Sequence, residues 1–211
     1  MIAGLYFLAD DDPRWGRDPV EQARAALAGG ARAVQLRAKR ATDRQALAWG
    51  EAIRRLATAH GALFFVNDRF DLALALGADG VHLGQRDLPP ARVPPAARAR
   101  LRIGRSTHTA EHARAAAAEP IDYVAFGPLY GTTTKDSPYG ARGLDALAEV
   151  VRIAAPRPVV AIGGIDAARA GAAIAVGAAA VCVISAIAGA ADPEAATREL
   201  VAAVSTPRRA C

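Results

Sequence analysis

Several short polar segments interrupt an otherwise alanine-rich, apolar chain, and their residue types suit the handling of phosphate groups. Gln35-Leu36-Arg37-Ala38-Lys39 alternates polar and apolar positions. With a side-chain period of two, Gln35, Arg37 and Lys39 share one face of a strand while Leu36 and Ala38 take the other. Two cations on an inward face are costly to bury unpaired, so they require an anion. That anion is either a protein carboxylate, with Asp10 and Asp68 as the available partners, or a phosphate of a ligand. Asp68, next to Asn67, has two readings of its own: a cap for the helix beginning near Phe70, or a metal ligand. The segment His82-Leu83-Gly84-Gln85-Arg86-Asp87 weighs toward the second, because it supplies another carboxylate just past the next apolar run. Two hard oxygen donors with room for water are a usual way to hold Mg²⁺ on a diphosphate.

Further along, Ser106-Thr107-His108-Thr109 precedes a helix at Ala110. Thr109 suits the cap and Ser106 can face a cavity; His82 reads as a structural polar residue, while His108 is either a general base or a surface or capping residue, and its role stays open. The stretch from Gly127 to Gly140 is long for a connection in a compact domain and contains Thr132-Thr133-Thr134-Lys135. Clustered hydroxyls beside an ammonium group suit phosphate oxygens, and a loop of this length suits a lid. Gly163-Gly164 and Ser185 each follow an apolar run, at places where backbone amides can approach an anion.

The elements that must gather these segments are legible from the alternation of short apolar runs with longer amphipathic stretches. The runs are Leu5 to Ala9, Ala33 to Leu36, Leu63 to Val66, Gly80 to Leu83, Leu101 to Gly104, Tyr123 to Phe126, Val159 to Ile162 and Ala180 to Ile184. Flanked by Gly and turn residues and mostly rich in Val, Ile and Phe, they read as buried parallel strands. Asp18-Pro19-Val20-Glu21 offers an N-cap, a proline at the first helical position and a glutamate to close a capping box. Thr42-Asp43-Arg44-Gln45 and Asp192-Pro193-Glu194 repeat that logic. Eight strands in 211 residues leave about 26 residues for each strand-plus-helix unit, which suits an α/β fold in the form of a single (β/α)₈ TIM barrel. An open doubly wound sheet would require a glycine-rich turn after the first strand, where acidic residues stand instead. No linker breaks the chain, so the expected domain covers residues 1–204, with 205–211 as a frayed tail.

Composition narrows the class. At 52% hydrophobic residues and 22% charged, the chain is too apolar to be disordered and has enough for a sizeable core. The formal charge of +5 comes with arginines scattered singly through alanine-rich stretches, and aromatics are only 5%, so nucleic acid is a poor partner. Two cysteines exclude a disulfide framework, and no apolar stretch is long enough for a bilayer. A cytoplasmic protein acting on small anionic molecules, with no membrane partner, is the expectation; the oligomeric state stays open.

Taken in order, Gln35 to Lys39, Asn67-Asp68-Arg69, His82 to Asp87, Ser106-Thr107-His108, Phe126-Gly127-Pro128, Thr132 to Lys135, Ala161 to Ile165 and Val183-Ile184-Ser185 resemble the thiamine-phosphate synthase family over most of the chain. The resemblance implies a transferase that condenses 4-amino-2-methyl-5-pyrimidinylmethyl diphosphate with a thiazole phosphate. It implies further that Gln35, Leu36, Arg37, Ala38, Lys39, Asn67, Ser106 and Lys135 hold the pyrimidine diphosphate, and that Asp68 and Asp87 bind Mg²⁺. Thr132, Thr133, Thr134, Gly164, Ile184 and Ser185 hold the thiazole phosphate in the same reading, and Arg37, Lys39 and Lys135 stabilise the departing diphosphate. Arg105 departs from a position that is commonly apolar in the family, and Asp10 to Asp12 are less typical of it. A thiazole tautomerase-like isomerase of the same fold is the nearest alternative, but it lacks the full set of Arg37, Lys39, Asp68, Asp87 and Lys135. A noncatalytic sensor of phosphate ligands ranks below it.

Overall fold

The computed structural model describes residues 2–132 and 138–205. Its strands are β1 (Gly4–Asp10), β2 (Ala33–Arg37), β3 (Leu63–Asn67), β4 (Gly80–Leu83), β5 (Arg102–Thr107), β6 (Tyr123–Phe126), β7 (Val159–Ile162) and β8 (Ala180–Val183). They pair in chain order, all parallel, and the barrel closes where Leu5 of β1 meets Val181 of β8. The (β/α)₈ expectation is therefore met, strand by strand.

β1, β2 and β3 each extend by a residue at one or both ends of the expected runs, and the limits of β5 and β8 move for local reasons. β5 starts at Arg102 because the amide of Leu101 still donates to the carbonyl of Ala97, and it extends to Thr107 because Ser106 and Thr107 pair with Ala125 and Phe126. Ile184 leaves the sheet at φ −121°, ψ −77° to cap an extra turn of helix.

The helices around the barrel are α1 (Pro19–Ala28), α2 (Asp43–Ala59), α3 (Phe70–Ala75), α4 (Pro95–Arg98), α5 (Ala110–Ala117), α6 (Gly143–Ala154), α7 (Ala167–Ala175), α8 (Ser185–Ala188) and α9 (Pro193–Ser205). The capping chemistry is as expected: Asp18 and Glu21 close one box, Thr42 and Gln45 another, and Asp192 accepts from the amide of Ala195 at 2.9 Å. α4 is a single turn because Pro89, Pro90, Pro94 and Pro95 crowd its approach, and a proline has no amide to donate and a fixed φ. α9 runs to Ser205, one residue past the expected end of the barrel domain; the rest of the expected tail lies outside the described residues.

Two apolar layers hold the strands in place. Outward-facing residues such as Phe7, Val34, Phe64, Val81 and Val124 are fully buried against the helices. Inside, Tyr6, Phe65 and Tyr123 pack with ring centroids 5.4 to 6.4 Å apart and close the lower barrel. Gly104 makes room for this plug, since a Cβ there would lie 2.0 Å from Cζ of Tyr123. Above this plug the barrel opens at the carboxyl ends of its strands, and no helix among the described residues is long and apolar enough to cross a membrane.

Candidate active site

Those strand ends surround a cavity of about 580 Å³ lined by residues from every strand or the loop after it, a size suited to small ligands. On β2, Gln35 and Arg37 line it, and Lys39 follows from the loop, while Leu36 is 1% exposed and packs outward. Ala38 also packs on the core rather than in the cavity, so of the expected pyrimidine-site residues these two can reach a ligand only through backbone. Asn67, Ser106, Thr132, Gly164, Ile184 and Ser185 all line the cavity. Thr133, Thr134 and Lys135 lie outside the described residues.

The cation at the end of β2 and the one in the loop after it each have a carboxylate partner. Arg37 donates to Asp10 at 2.5 Å, and Lys39 pairs with Asp68. Asp10 is 1% exposed, and Gln22 of α1 holds its peptide from both sides, accepting from the Asp10 amide at 3.1 Å and donating to its carbonyl at 2.8 Å. The ion-pair reading of these cations is thus realised, and Arg37, Lys39 and Asp68 still line the cavity. Asp10, which the sequence pattern offers as a partner, is buried behind that lining and orients Arg37.

Asp68 is the only non-glycine residue with positive φ, at 64°, among those described. It does not cap α3: Arg69 occupies that position without a side-chain cap, and its guanidinium binds Asp43 and Asp71 instead. The unusual backbone turns the Asp68 carboxyl to meet that of Asp87. Burial, and then the hydrogen bond with Asp87, raises the pKa of Asp68 against the pull of Lys39. Burial pushes Asp87 up as well, but hydrogen bonds from Asp68 and the Gly84 amide, with Lys39 and His82 nearby, outweigh it and leave Asp87 below the usual carboxylate range. Two carboxyl groups held in contact, one with its pKa raised and the other with its pKa lowered, are a pair that a bound cation would relieve. No cluster of three or more His, Cys, Asp or Glu suitable for a metal occurs among the described residues. Asp68 and Asp87 alone offer hard oxygen donors from two neighbouring strand ends, a set suited to a hard divalent cation that keeps water or substrate in its other positions.

The opposite wall is a close meeting of two backbone loops. Gly163 and Gly164 have φ of 102° and 65°, and a Cβ on Gly164 would lie 2.2 Å from the carbonyl oxygen of Gly131. Only glycine allows the β7 loop and the loop after β6 to touch there. Arg169 donates to the Gly164 carbonyl at 2.9 Å and stacks over Tyr130, which fixes the same turn.

Other residues emerge from the geometry alone. Arg86 adds a further cation to the rim and Gln85 lines it too. His108 also lines the cavity; its Nδ1 lies 2.6 Å from the carbonyl of Gly127 and its ring stacks on Tyr139 at 4.4 Å, which ties it to the loop wall. His82, inside the cavity, bridges Tyr123 and Ser106. In sequence, a tyrosine within an apolar run was the one available signal for this buried polar chain.

With this geometry established, comparison with known proteins gives consistent results. A family model described as thiamine monophosphate synthase matches residues 5–187. A thiamine-phosphate synthase of Anaeromyxobacter dehalogenans is 52% identical, covering 99% of this chain and 91% of its own. One from Methanoculleus marisnigri is 48% identical over 93% and 92%. Among solved structures, a thiamine phosphate pyrophosphorylase from Pyrococcus furiosus superposes with a TM-score of 0.85 at 38% identity, covering 96% of this chain and 95% of its own. A 3-hexulose-6-phosphate synthase at 21% identity and TM-score 0.68 shares the fold alone.

Proposed function

The chain belongs to the thiamine monophosphate synthase family, and from that premise we propose how its cavity condenses 4-amino-2-methyl-5-pyrimidinylmethyl diphosphate with a thiazole phosphate to give thiamine phosphate and diphosphate. The observation that carries the reading is the placing of two cations, Arg37 and Lys39, and two carboxyls, Asp68 and Asp87, on one rim of the cavity. A diphosphate leaving group needs positive charge placed in advance, and Arg37 and Lys39 are aimed by Asp10 and Asp68 before any ligand arrives. Mg²⁺, held by Asp68 and Asp87, would add charge neutralisation at the same leaving oxygens. Lys135 would contribute a third side-chain cation.

Breaking the C–O bond first leaves a pyrimidinylmethyl cation, which the ring amino group delocalises, and the thiazole nitrogen then forms the new C–N bond. No protein nucleophile is required, in keeping with a site of phosphate binders and carboxylates. The buried Oε1 of Gln35 has no partner among the described residues and awaits a donor such as the pyrimidine amino group. Backbone at Gly164, Ile184 and Ser185, with the hydroxyls of Thr132 to Thr134, would take the thiazole phosphate. Asn67 and Ser106 complete the pyrimidine side. A cytoplasmic setting belongs to the same proposal and is supported by the buried thiol of Cys182, which is not in a disulfide.

The test is to mix both substrates with Mg²⁺ and quantify diphosphate against thiamine phosphate. One-to-one release is expected. Tautomer exchange of the thiazole without release would establish the isomerase instead, and ligand binding without product would establish a sensor.

A further inference from the structure

A chain of hydrogen bonds crosses the barrel at the floor of the cavity from Gln35 to Ser106, and of its five residues all but Tyr123 line the cavity. Nε2 of Gln35 donates to the Tyr6 hydroxyl at 2.5 Å, and Tyr6 lies 3.3 Å from the hydroxyl of Tyr123. Tyr123 in turn is 2.9 Å from Nδ1 of His82, whose Nε2 is 2.8 Å from Oγ of Ser106. Tyr6 and Tyr123 are 2% and 1% exposed, and Gln35 is 1%. Burial pushes both phenols up, so each stays neutral and each has one proton to donate.

We propose that this chain is polar in one direction and that Tyr6, Tyr123 and His82 are positioning residues that set what Gln35 and Ser106 offer the ligand. The direction is set by the ends. Gln35 gives its amide proton to Tyr6, so the Tyr6 proton goes on to Tyr123 and the Tyr123 proton to Nδ1 of His82. His82 is then the Nε2–H tautomer and donates to Ser106, whose own proton is left for the cavity. The two ends become complementary: an acceptor, Oε1 of Gln35, at one and a hydroxyl donor, Ser106, at the other. Reversing the Gln35 amide would reverse every bond, place a proton on Nδ1 of His82 and present a donor where the acceptor now stands. The selectivity consequence rests on the synthase reading. A pyrimidine carrying an amino group satisfies Gln35, and one carrying a carbonyl there faces an unpaired acceptor and binds about tenfold more weakly or worse. Gly104 belongs to the device, because only its missing side chain lets Tyr123 reach His82.

The direct test is the ¹⁵N chemical shifts of His82 in the ligand-free protein at neutral pH, assigned by a His82→Gln variant. The Nε2–H tautomer is expected; an Nδ1–H tautomer or a doubly protonated ring overturns the proposal. This measurement does not depend on the reaction, so it stands apart from the failure of the synthase reading itself. A second arm uses Tyr123→Phe and Tyr6→Phe, which keep the rings and remove only the hydroxyls. Each should raise KM for the pyrimidine diphosphate about tenfold while leaving KM for the thiazole phosphate unchanged. Equal changes in both KM values, or none in folded variants, contradict the positioning role; if Tyr123→Phe does not fold, Tyr6→Phe carries the comparison.

Discussion

At the residue scale, Asp68 concentrates the tension in the site. An L-residue in the left-handed region costs about 1–2 kcal/mol, least for Asp and Asn, and this one also meets a second carboxyl group. Because folding raises its pKa, the folded state binds more protons than the unfolded state above the ordinary carboxylate value, so stability falls as pH rises through that interval. Asp87 has the opposite sign: its depressed pKa contributes stability above the ordinary value that is lost as pH falls. Asp68→Asn keeps the backbone preference and removes the ionised cost. At neutral pH without metal its Tm should equal or exceed that of the parent, since the Lys39 pair it loses is half exposed and weak. Its Mn²⁺ affinity, read by electron paramagnetic resonance, should fall about tenfold or more. A lower Tm with unchanged Mn²⁺ binding would remove Asp68 from the metal site. Lys135→Ala should cost on the order of 3 kcal/mol of transition-state stabilisation, and near-parental turnover at saturating substrates would count against its role. The alternation in Gln35 to Lys39 made the inward set readable from sequence, but the partners were not: the choice between protein carboxylate and ligand depends on distances across the barrel. Tyr6 and Tyr123 meet across 117 residues of sequence, which no local pattern encodes.

Among the elements, strands were easier to read than the turns at their carboxyl ends. Gly80 to Leu83, Tyr123 to Phe126 and Val159 to Ile162 have the same limits in structure as in sequence, because turn residues bracket each run. The short α8 was not legible, since Ile184 and Ser185 continue an apolar run and only the backbone rotation at Ile184 ends the strand. That turn matters, as it brings Ser185 to the cavity. Gly164→Ala sets a Cβ against the Gly131 carbonyl in a left-handed backbone, so it should cost about 1–3 kcal/mol of stability. KM for the thiazole phosphate should rise while that for the pyrimidine diphosphate holds; the reverse pattern would move the thiazole phosphate off this loop. Asp18→Ala is the control at this scale. It removes a cap whose oxygen accepts from the amides of Val20 and Glu21, both at 2.8 Å, and should cost about 1 kcal/mol or roughly 2–4 °C in Tm. Turnover per folded molecule should not change, because neither Asp18 nor the residues it caps line the cavity.

For the whole molecule, closure of the barrel converts residues scattered from Gln35 to Ser185 into one rim, so ligands on that rim should be thermodynamically coupled. A ligand at a hundred times its Kd stabilises the fold by about 2.7 kcal/mol. Diphosphate and Mg²⁺ together should raise Tm by more than the sum of their separate effects, and simple additivity would mean that they bind apart. The most direct measurement is a crystal structure with both substrates and Mn²⁺ in place of Mg²⁺, located by anomalous scattering. The account predicts the metal between Asp68 and Asp87, diphosphate oxygens against Arg37 and Lys39, and the thiazole phosphate at Gly164 and Ser185. A metal held elsewhere, or the two substrates in separate cavities, would contradict it.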